Sequence, residues 1–206
     1  MKILVSAGPT REPIDAVRFL SNRSTGRMGI AVARAAAEAG HEAVHVLGPT
    51  AVEPPPAPVR TVRVETALGM LDALRAELPA ADALVMAAAV ADFRPAAPAA
   101  RKLHKGEMPA AIRLVRNPDI LAGLRPFKGD RIFCGFAAET DDVLASAARK
   151  LARKGLDLIV ANDVAAPGAG FAVDTNVVAV LRPGAAPERW PLMSKLDIGR
   201  RHVSLL

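Results

Sequence analysis

The sequence predicts an α/β fold: a Rossmann-like, doubly wound and mostly parallel sheet covered by helices. Short apolar runs alternate with Ala-rich segments of helical spacing along most of the 206 residues, and this alternation is typical of right-handed βαβ units. The apolar runs are continuous, which indicates strands that are buried on both faces. Because no repeat, linker or shift in composition interrupts the pattern, we predict a single domain over residues 1–206.

The N-terminal elements are the most regular. The run "KILVSAG", residues 2–8, is apolar apart from Lys2 and Ser6 and is predicted to be a buried strand. The Ala-rich run at 29–40 has helical spacing, and Gly40 stands where a helix would stop. The run "HEAVHVLG", residues 41–48, is predicted to be the next strand, which completes a first βαβ unit.

The middle of the chain continues this pattern and then breaks it. After a stiff "PPPAP" loop, a short strand is predicted at 59–64, a helix at 65–78 and a buried strand at 82–90. Residues 91–111 combine Pro, Ala and cations without clear periodicity, so we predict a long loop there. A loop of that length in a compact domain is usually functional.

The alternation then resumes towards the C-terminus. Helices are predicted at 117–124 and 141–155, and strands at 131–139 and 156–163. Residues 176–194 are predicted to form a β-hairpin around a Pro-Gly turn, followed by a last helix from Ser194.

Composition narrows the class of function. The net charge of +6 is compatible with nucleic-acid binding or with anionic small substrates, but aromatic residues make up only 3% and there is no lysine-rich tail. We therefore predict a small anionic substrate and no nucleic-acid partner. Cys134 is the only cysteine and lies in an apolar run, so it is predicted to be a core residue in a reducing cytoplasm. The four histidines lack metal-ligand spacing, and no signal peptide or membrane-spanning run is present.

Ligands of open α/β sheets bind beyond the carboxyl ends of the strands, so the loops after the strands are the candidate sites. Ser24, Thr25 and Gly26 precede the first predicted helix, whose N-terminus can bind a phosphate through backbone N–H groups. Capping of this helix by Ser24 or Asn22 would explain the same residues without any ligand.

The loop after the fourth strand offers a second set of groups. Ala87, Ala88 and Ala89 leave room for a flat group near the backbone, and Asp92 can accept hydrogen bonds from ribose hydroxyls. An Asx turn is the alternative role for Asp92. Lys102 and Lys105 lie in the long loop, where they either close over a polyphosphate or are simply solvated, as surface lysines usually are.

The helix at 141–155 carries four cations in two stacks, Lys150 above Lys154 and Arg149 above Arg153. Like charges at this spacing repel by about 0.2–0.5 kcal/mol. Cations near a helix C-terminus offset its dipole, which explains basic residues there but not the need for four.

Several separated segments together resemble one family, the phosphopantothenate–cysteine ligase domain of coenzyme A biosynthesis, also called phosphopantothenoylcysteine synthetase. The matching segments appear in the family's order between residue 1 and about 176; they are "SAGPTREPIDAVRFLSNRSTGRMG", "AAAVADFRP", "NPDIL", "GFAAET", "KGLDLIVAND" and "GFAVDTN". The resemblance implies a Rossmann-like fold with a dimerisation hairpin, and hence a homodimer. It also implies that CTP and Mg²⁺ activate 4′-phosphopantothenate as an acyl-cytidylate, which reacts with L-cysteine to give 4′-phosphopantothenoylcysteine, CMP and pyrophosphate.

The resemblance also assigns residues. Asn22 matches the asparagine that holds the acyl-cytidylate, and Lys102 matches a lysine of a flap that is needed for turnover. Mg²⁺ is expected to be held by the nucleotide phosphates, since no protein ligand for it is identified. The implied nucleotide-binding residues are Met86, Ala87, Ala88, Asp92, Lys102, Pro118, Asp119, Ile120, Leu121, Phe136, Lys150 and Lys154.

The chain departs from the family pattern in places. The flap reads "KLHK", with His104 in place of a lysine, and Phe93 stands where tyrosine is often found. The chain starts at the first strand of the ligase, so no flavin and no flavin-dependent decarboxylase activity are expected.

Two other functions remain open: a nicotinamide-dependent reductase and a non-catalytic nucleotide-binding module. The absence of a Gly-x-Gly-x-x-Gly motif and of any tyrosine counts against the reductase. The preference between CTP and ATP is left open by the sequence.

Overall fold

The protein is built around one eight-stranded sheet, seen in a computed structural model that describes residues 1–139, 141–163, 168 and 170–206. Short 3₁₀ helices at Leu78–Ala80 and Arg125–Phe127 follow the second and third α-helices. In chain order the elements are β1 (Lys2–Ala7), β2 (Glu12–Pro13), β3 (Phe19–Leu20), α1 (Arg27–Glu38), β4 (Glu42–Leu47), β5 (Arg60–Arg63), α2 (Ala67–Glu77), β6 (Ala83–Met86), β7 (Phe93–Pro95), β8 (Leu114–Arg116), α3 (Ile120–Leu124), β9 (Ile132–Glu139), α4 (Val143–Lys154), β10 (Leu158–Asp163), β11 (Thr175–Leu181), β12 (Glu188–Ser194) and α5 (Lys195–Val203).

The strand order in the sheet is β12-β11-β10-β9-β6-β1-β4-β5. The six strands from β10 to β5 in this order are all parallel, whereas β11 and β12 pair antiparallel at one edge. The predicted α/β class and the mostly parallel sheet are therefore confirmed. The chain runs from β1 outward in one direction and from β6 outward in the other, so the two neighbours β1 and β6 mark the point where the winding reverses.

Helices cover both faces of the sheet because the side chains of each strand alternate between two apolar clusters. Ile3 and Val5 of β1 pack in the cluster beneath α1 and α5, whereas Leu4 packs in the cluster beneath α2, α3 and α4. Helix α1 lies very close to the sheet at Gly29, where a Cβ atom would stand 2.4 Å from the Cβ of Ala7. This close approach fixes the N-terminus of α1 next to the end of β1.

Some predicted boundaries are wrong. The segment 91–111, predicted to be a loop throughout, contains β7, which pairs antiparallel with β8. Strands β2 and β3 form a second small antiparallel pair that was not predicted. Strand β6 ends at Met86, so the predicted strand at 82–90 is too long, and α1 begins at Arg27 rather than at Gly29. Among the described residues, no helix has both the length and the apolar character needed to cross a membrane.

Candidate active site

A cleft of about 600 Å³ lies at the carboxyl ends of the parallel strands, where the winding of the sheet reverses. This is the position at which open α/β sheets bind ligands. Most of the residues singled out in the sequence line it: Ser24, Thr25, Gly26, Met86, Ala87, Ala88, Asp92, Pro118, Asp119, Ile120, Leu121, Phe136, Lys150 and Lys154. Asn22, Lys102 and Lys105 do not line the cleft.

The loop before α1 leaves the helix N-terminus open to the cleft. Gly26 is the N-cap residue with φ +76°, a conformation that favours glycine, and no side chain caps the helix. A Cβ atom at Gly26 would also stand 3.2 Å from the backbone of Gly8. The predicted alternative, helix capping by Ser24 or Asn22, is therefore wrong, and the free N–H groups at this end can bind an anion.

Asn22 connects this loop to the loop after β6. Its Oδ1 accepts a hydrogen bond from the backbone N–H of Ser24 at 3.0 Å, and its Nδ2 donates one to the carbonyl oxygen of Ala89. Ala89 lines the cleft, so the exposed side chain of Asn22 lies next to the cleft lining. One amide N–H of Asn22 remains for a ligand.

The loop after β6 is held against the loop after β1 by backbone hydrogen bonds. The N–H of Ala89 donates to the carbonyl of Gly8 at 2.9 Å, and the N–H of Ala88 donates to the Oγ of Ser6 at 3.2 Å. The alanine side chains leave the backbone accessible from the cleft. The exposed carboxylate of Asp92 makes no hydrogen bond or ion pair with the described residues and lines the cleft.

The cations of α4 form one wall of the cleft. Lys154 pairs with Asp119 at 3.3 Å, and Lys150 pairs with Glu139 at 2.5 Å. Asp119 is also the N-cap of α3, where its Oδ1 accepts from the N–H of Ala122. Arg153 makes no ion pair with any described residue and faces the same cleft. We call the region around Lys150, Arg153 and Lys154 the cationic half.

The segment with Lys102 and Lys105 does not line the cleft and is anchored by a buried carboxylate. Asp15 accepts from the N–H of Leu103 at 3.1 Å, and Arg18 donates to the carbonyl of Leu103 at 2.7 Å. The guanidinium of Arg18 and the backbone N–H donors hold the pKa of Asp15 well below its usual range. Lys102 itself is exposed, so its predicted contact with a nucleotide phosphate requires the segment to move towards the cleft.

The opposite side of the cleft contains polar groups that were not predicted from the sequence. We call this region, formed by Arg27, Asn162, Phe171, Asn176 and Lys195, the amide half. Asn162 and Asn176 are 9% and 4% exposed. The sequence signal for these two residues was their place at strand ends: Asn162 lies near the end of β10, and Asn176 lies at the start of β11.

Lys195 supports the wall of the amide half. Its ammonium donates hydrogen bonds to the carbonyls of Gly170 at 2.8 Å, of Phe171 and of Val173. Burial lowers the pKa of Lys195, and the charge of Arg27 lowers it further. A lysine in the first turn of a helix opposes the helix dipole, and this unfavourable placement could have drawn attention to Lys195 in the sequence.

The described residues give no support to a cysteine nucleophile or to a metal ion held by a cluster of protein side chains. Cys134 is fully buried, and burial raises the pKa of its thiol to about 12, so it does not supply a thiolate nucleophile. No group of three or more His, Cys, Asp or Glu side chains in the described part of the chain could hold a metal ion.

Comparison with known proteins gives consistent matches. A family model described as the DNA/pantothenate metabolism flavoprotein C-terminal domain matches residues 1–206. The coenzyme A biosynthesis bifunctional protein CoaBC of Bacillus subtilis is 43% identical over 196 residues, which cover 95% of this chain and 48% of that protein. The protein of the same name from Mycobacterium bovis is 50% identical over 186 residues, or 85% of this chain and 44% of that protein.

A solved structure agrees with these sequence matches. The crystal structure of the C-terminal domain of CoaBC has a TM-score of 0.84 and 38% sequence identity to this chain, and the match covers 99% of this chain and 92% of that one. The chain spans about half the length of the curated relatives that it matches.

Proposed function

The chain belongs to the family of the DNA/pantothenate metabolism flavoprotein C-terminal domain, and we propose that it is a phosphopantothenate–cysteine ligase of coenzyme A biosynthesis. In this proposal CTP activates 4′-phosphopantothenate, and L-cysteine then gives 4′-phosphopantothenoylcysteine. The observation that carries the proposal is the cleft: of the nucleotide-binding residues implied by the resemblance, all but Lys102 line it.

The proposed reaction has two steps. The carboxylate of 4′-phosphopantothenate attacks the α-phosphorus of CTP, and pyrophosphate leaves. The amine of cysteine then attacks the acyl carbon, the bond between that carbon and the phosphate oxygen breaks, CMP leaves, and the amine proton passes to solvent. A carboxylate is a poor electrophile, so the first step is needed to supply a good leaving group.

The residues of the chain support both steps by binding and by electrostatics. Lys150, Arg153 and Lys154 can neutralise charge on the nucleotide phosphates. The remaining amide N–H of Asn22 can donate to the acyl oxygen. Closure of the segment that carries Lys102 would bring a further cation to the phosphates and exclude water from the reactive anhydride.

Mg²⁺ enters this proposal with the nucleotide. In this proposal the Mg²⁺ ion is held by phosphate oxygens of the nucleotide. When bound there, Mg²⁺ would neutralise phosphate charge during the first step.

The proposal is tested by the products. With CTP, Mg²⁺, 4′-phosphopantothenate and L-cysteine, we expect one CMP and one pyrophosphate for each 4′-phosphopantothenoylcysteine, measured by coupled pyrophosphate release and mass spectrometry. ATP in place of CTP measures the nucleotide preference. Binding of NADPH without turnover of CTP would favour the reductase, and CTP binding without any product would favour a non-catalytic module.

Three further features belong to the proposal: a single domain over residues 1–206, a cytoplasmic location and a homodimer formed through β11 and β12. The side chain of Leu192 in β12 is 53% exposed. Two apolar side chains of the small two-stranded sheets are exposed as well, Phe19 at 45% and Phe93 at 40%. Light scattering on Leu192→Ser should therefore show a monomer. A monomer produced by Phe19→Ser instead would place the dimer contact on the small sheets.

A further inference from the structure

The two halves of the cleft lie on opposite faces of the sheet. In β10, Ile159 and Ala161 pack in the cluster beneath α2, α3 and α4, whereas Val160 packs beneath α1 and α5. Because side chains alternate along a strand, Asn162 lies on the α1 and α5 side. Asn176 lies on the same side, since Met193, its partner in the register of β12, packs there.

The halves also differ in charge. The cationic half has three basic side chains and includes Arg153, which has no ion-pair partner among the described residues. In the amide half, Arg27 is paired with Asp174 at 2.5 Å, and the ammonium of Lys195 is occupied by three carbonyl groups. A polyphosphate therefore favours the cationic half, while the amide half suits a small ligand with little net charge.

The amides of the amide half have unused hydrogen-bonding capacity. Asn162 is 9% exposed, and its side chain makes no hydrogen bond to any described residue. Asn176 is 4% exposed and accepts one bond, from the N–H of Val177 at 3.1 Å, while its amide N–H groups have no partner in the described part of the chain. The buried Nε of Arg27 also lacks a partner there. Buried polar groups are normally hydrogen-bonded, so these donors and acceptors point to a ligand in the cleft.

The uncapped N-terminus of α1 completes this set of groups. Helix α1 has twelve residues, has no acidic residue in its first turn, and begins at Arg27 beside the amide half. Its positive end favours a carboxylate. The amide half thus offers donors for a carboxylate together with amide oxygens that can accept from an amine.

We propose that the amide half binds the amino-acid nucleophile of the ligation, with its carboxylate at the N-terminus of α1 and its amine at the side-chain oxygens of Asn162 and Asn176. This inference rests on the proposed function. Two N–H bonds of the uncharged amine donate to the amide oxygens, and its lone pair is then directed at the acyl carbon. Attack forms the C–N bond, CMP leaves with the electrons of the C–O bond, and the extra amine proton passes to solvent.

The experiment separates the two half-reactions in Asn162→Ala and in Asn162→Leu, which is close to asparagine in size but has no acceptor for the amine. We expect the KM for L-cysteine to rise about three- to tenfold, as the loss of a hydrogen bond to an uncharged amine typically produces. Pyrophosphate release from CTP and 4′-phosphopantothenate without cysteine should stay within about twofold of wild type, because this step does not use the amide half. Arg153→Ala, in the cationic half, is the matched control and should raise the KM for CTP instead.

Two results would overturn the inference: an unchanged KM for cysteine in an Asn162 variant that unfolds at the wild-type temperature, or an Asn162 variant that raises the KM for CTP. A wild-type protein that releases no pyrophosphate would instead remove the proposed function, and this measurement is made before any cysteine is added.

Discussion

At the scale of single residues, Asp15 shows how one side chain can position a functional segment. Its carboxylate is almost fully buried and accepts hydrogen bonds from Val17, Arg18 and Leu103. Leu103 lies between Lys102 and His104, so Asp15 fixes the base of the segment that is predicted to close on the nucleotide.

We predict that Asp15→Asn releases this segment. The variant keeps the size of the side chain but loses the charge that pairs with Arg18, so trypsin should cut faster after Arg101, Lys102 and Lys105, and the unfolding temperature should fall. Asp130→Asn, at an exposed carboxylate without a partner among the described residues, is the control. Equal cleavage rates in both variants would show that Asp15 does not hold the segment.

Two substitutions address the chemistry directly. Asn22→Asp replaces a donor by a negative charge next to the acyl oxygen and should lower kcat by about 10²–10³, the usual effect of losing such a donor. Lys102→Gln should leave little ligase activity, because it removes the cation of the closing segment. Coupled pyrophosphate release measures both, and circular dichroism checks that the variants fold. Near wild-type turnover in either variant would exclude that residue from the mechanism.

At the scale of elements, the contact between α1 and β1 determines where the helix N-terminus stands. Gly29 permits this contact, because an added Cβ would lie 2.4 Å from Ala7 Cβ and 2.7 Å from the carbonyl oxygen of Ser6. The helix must therefore move away from the sheet if Gly29 is replaced.

We predict that Gly29→Ala lowers the free energy of unfolding by about 1–3 kcal/mol, the usual cost of overpacking. It should also weaken binding of L-cysteine, since the displaced helix carries its N-terminus away from the amide half. Urea unfolding and calorimetric titration measure the two effects. Gly69→Ala, in α2 and outside the cleft lining, where an added Cβ meets only Thr66 Oγ1 at 3.4 Å, is the control and should lower neither. A Gly29→Ala variant as stable as this control would contradict the close contact.

At the scale of the whole molecule, the central sheet could be predicted because the apolar sequence of its strands indicates that they are buried. Residues 2–8 and 156–163 are continuously apolar over most of their length, so each indicates a buried strand without reference to its partners. Strands β2, β3, β7 and β8 have two or three residues each, which is too short for any periodicity. They form only because each pairs with another short segment, and the local sequence carries no record of that pairing.

The candidate site also has one part that could be predicted from the sequence and one part that could not. The cationic half could be predicted through the family resemblance, with Lys150 and Lys154 among the implied residues. The amide half was missed because its members are brought together only by the fold: Arg27 opens α1, Asn162 lies in β10 and Lys195 opens α5. Each of them alone has an ordinary structural explanation, and only the shared cleft distinguishes them.

The stability of the whole molecule should also depend on pH through two buried histidines. His45 and His202 are fully buried, and no described residue hydrogen-bonds to either ring. Burial lowers the pKa of each to about 4, and for His45 the charge of Arg63 lowers it further. His202 packs against Phe136, which lines the cleft, with ring centroids 5.4 Å apart.

The lowered pKa values of the two histidines determine the direction in which stability changes with pH. The unfolded chain binds protons at these histidines near their ordinary pKa of 6.5, whereas the folded chain does so only near 4. The free energy of unfolding therefore has its full value above about pH 7 and decreases as the pH falls towards 4. A difference of about 2.5 in pKa corresponds to at most about 3 kcal/mol for each histidine. The carboxylates with lowered pKa, such as Glu38 and Asp197, lose their contribution only at lower pH.

We therefore predict that the free energy of unfolding, measured with urea between pH 8 and pH 5, falls steeply below pH 6.5 in the wild type. His202→Leu, which keeps an apolar side chain of similar size, should reduce that slope, because one of the two groups that take up a proton on unfolding is gone. Since unfolding still protonates His45, some slope should remain until both histidines are replaced. An unchanged slope in His202→Leu would mean that His202 already takes up its proton in the folded protein, contrary to its full burial behind the wall of the cleft.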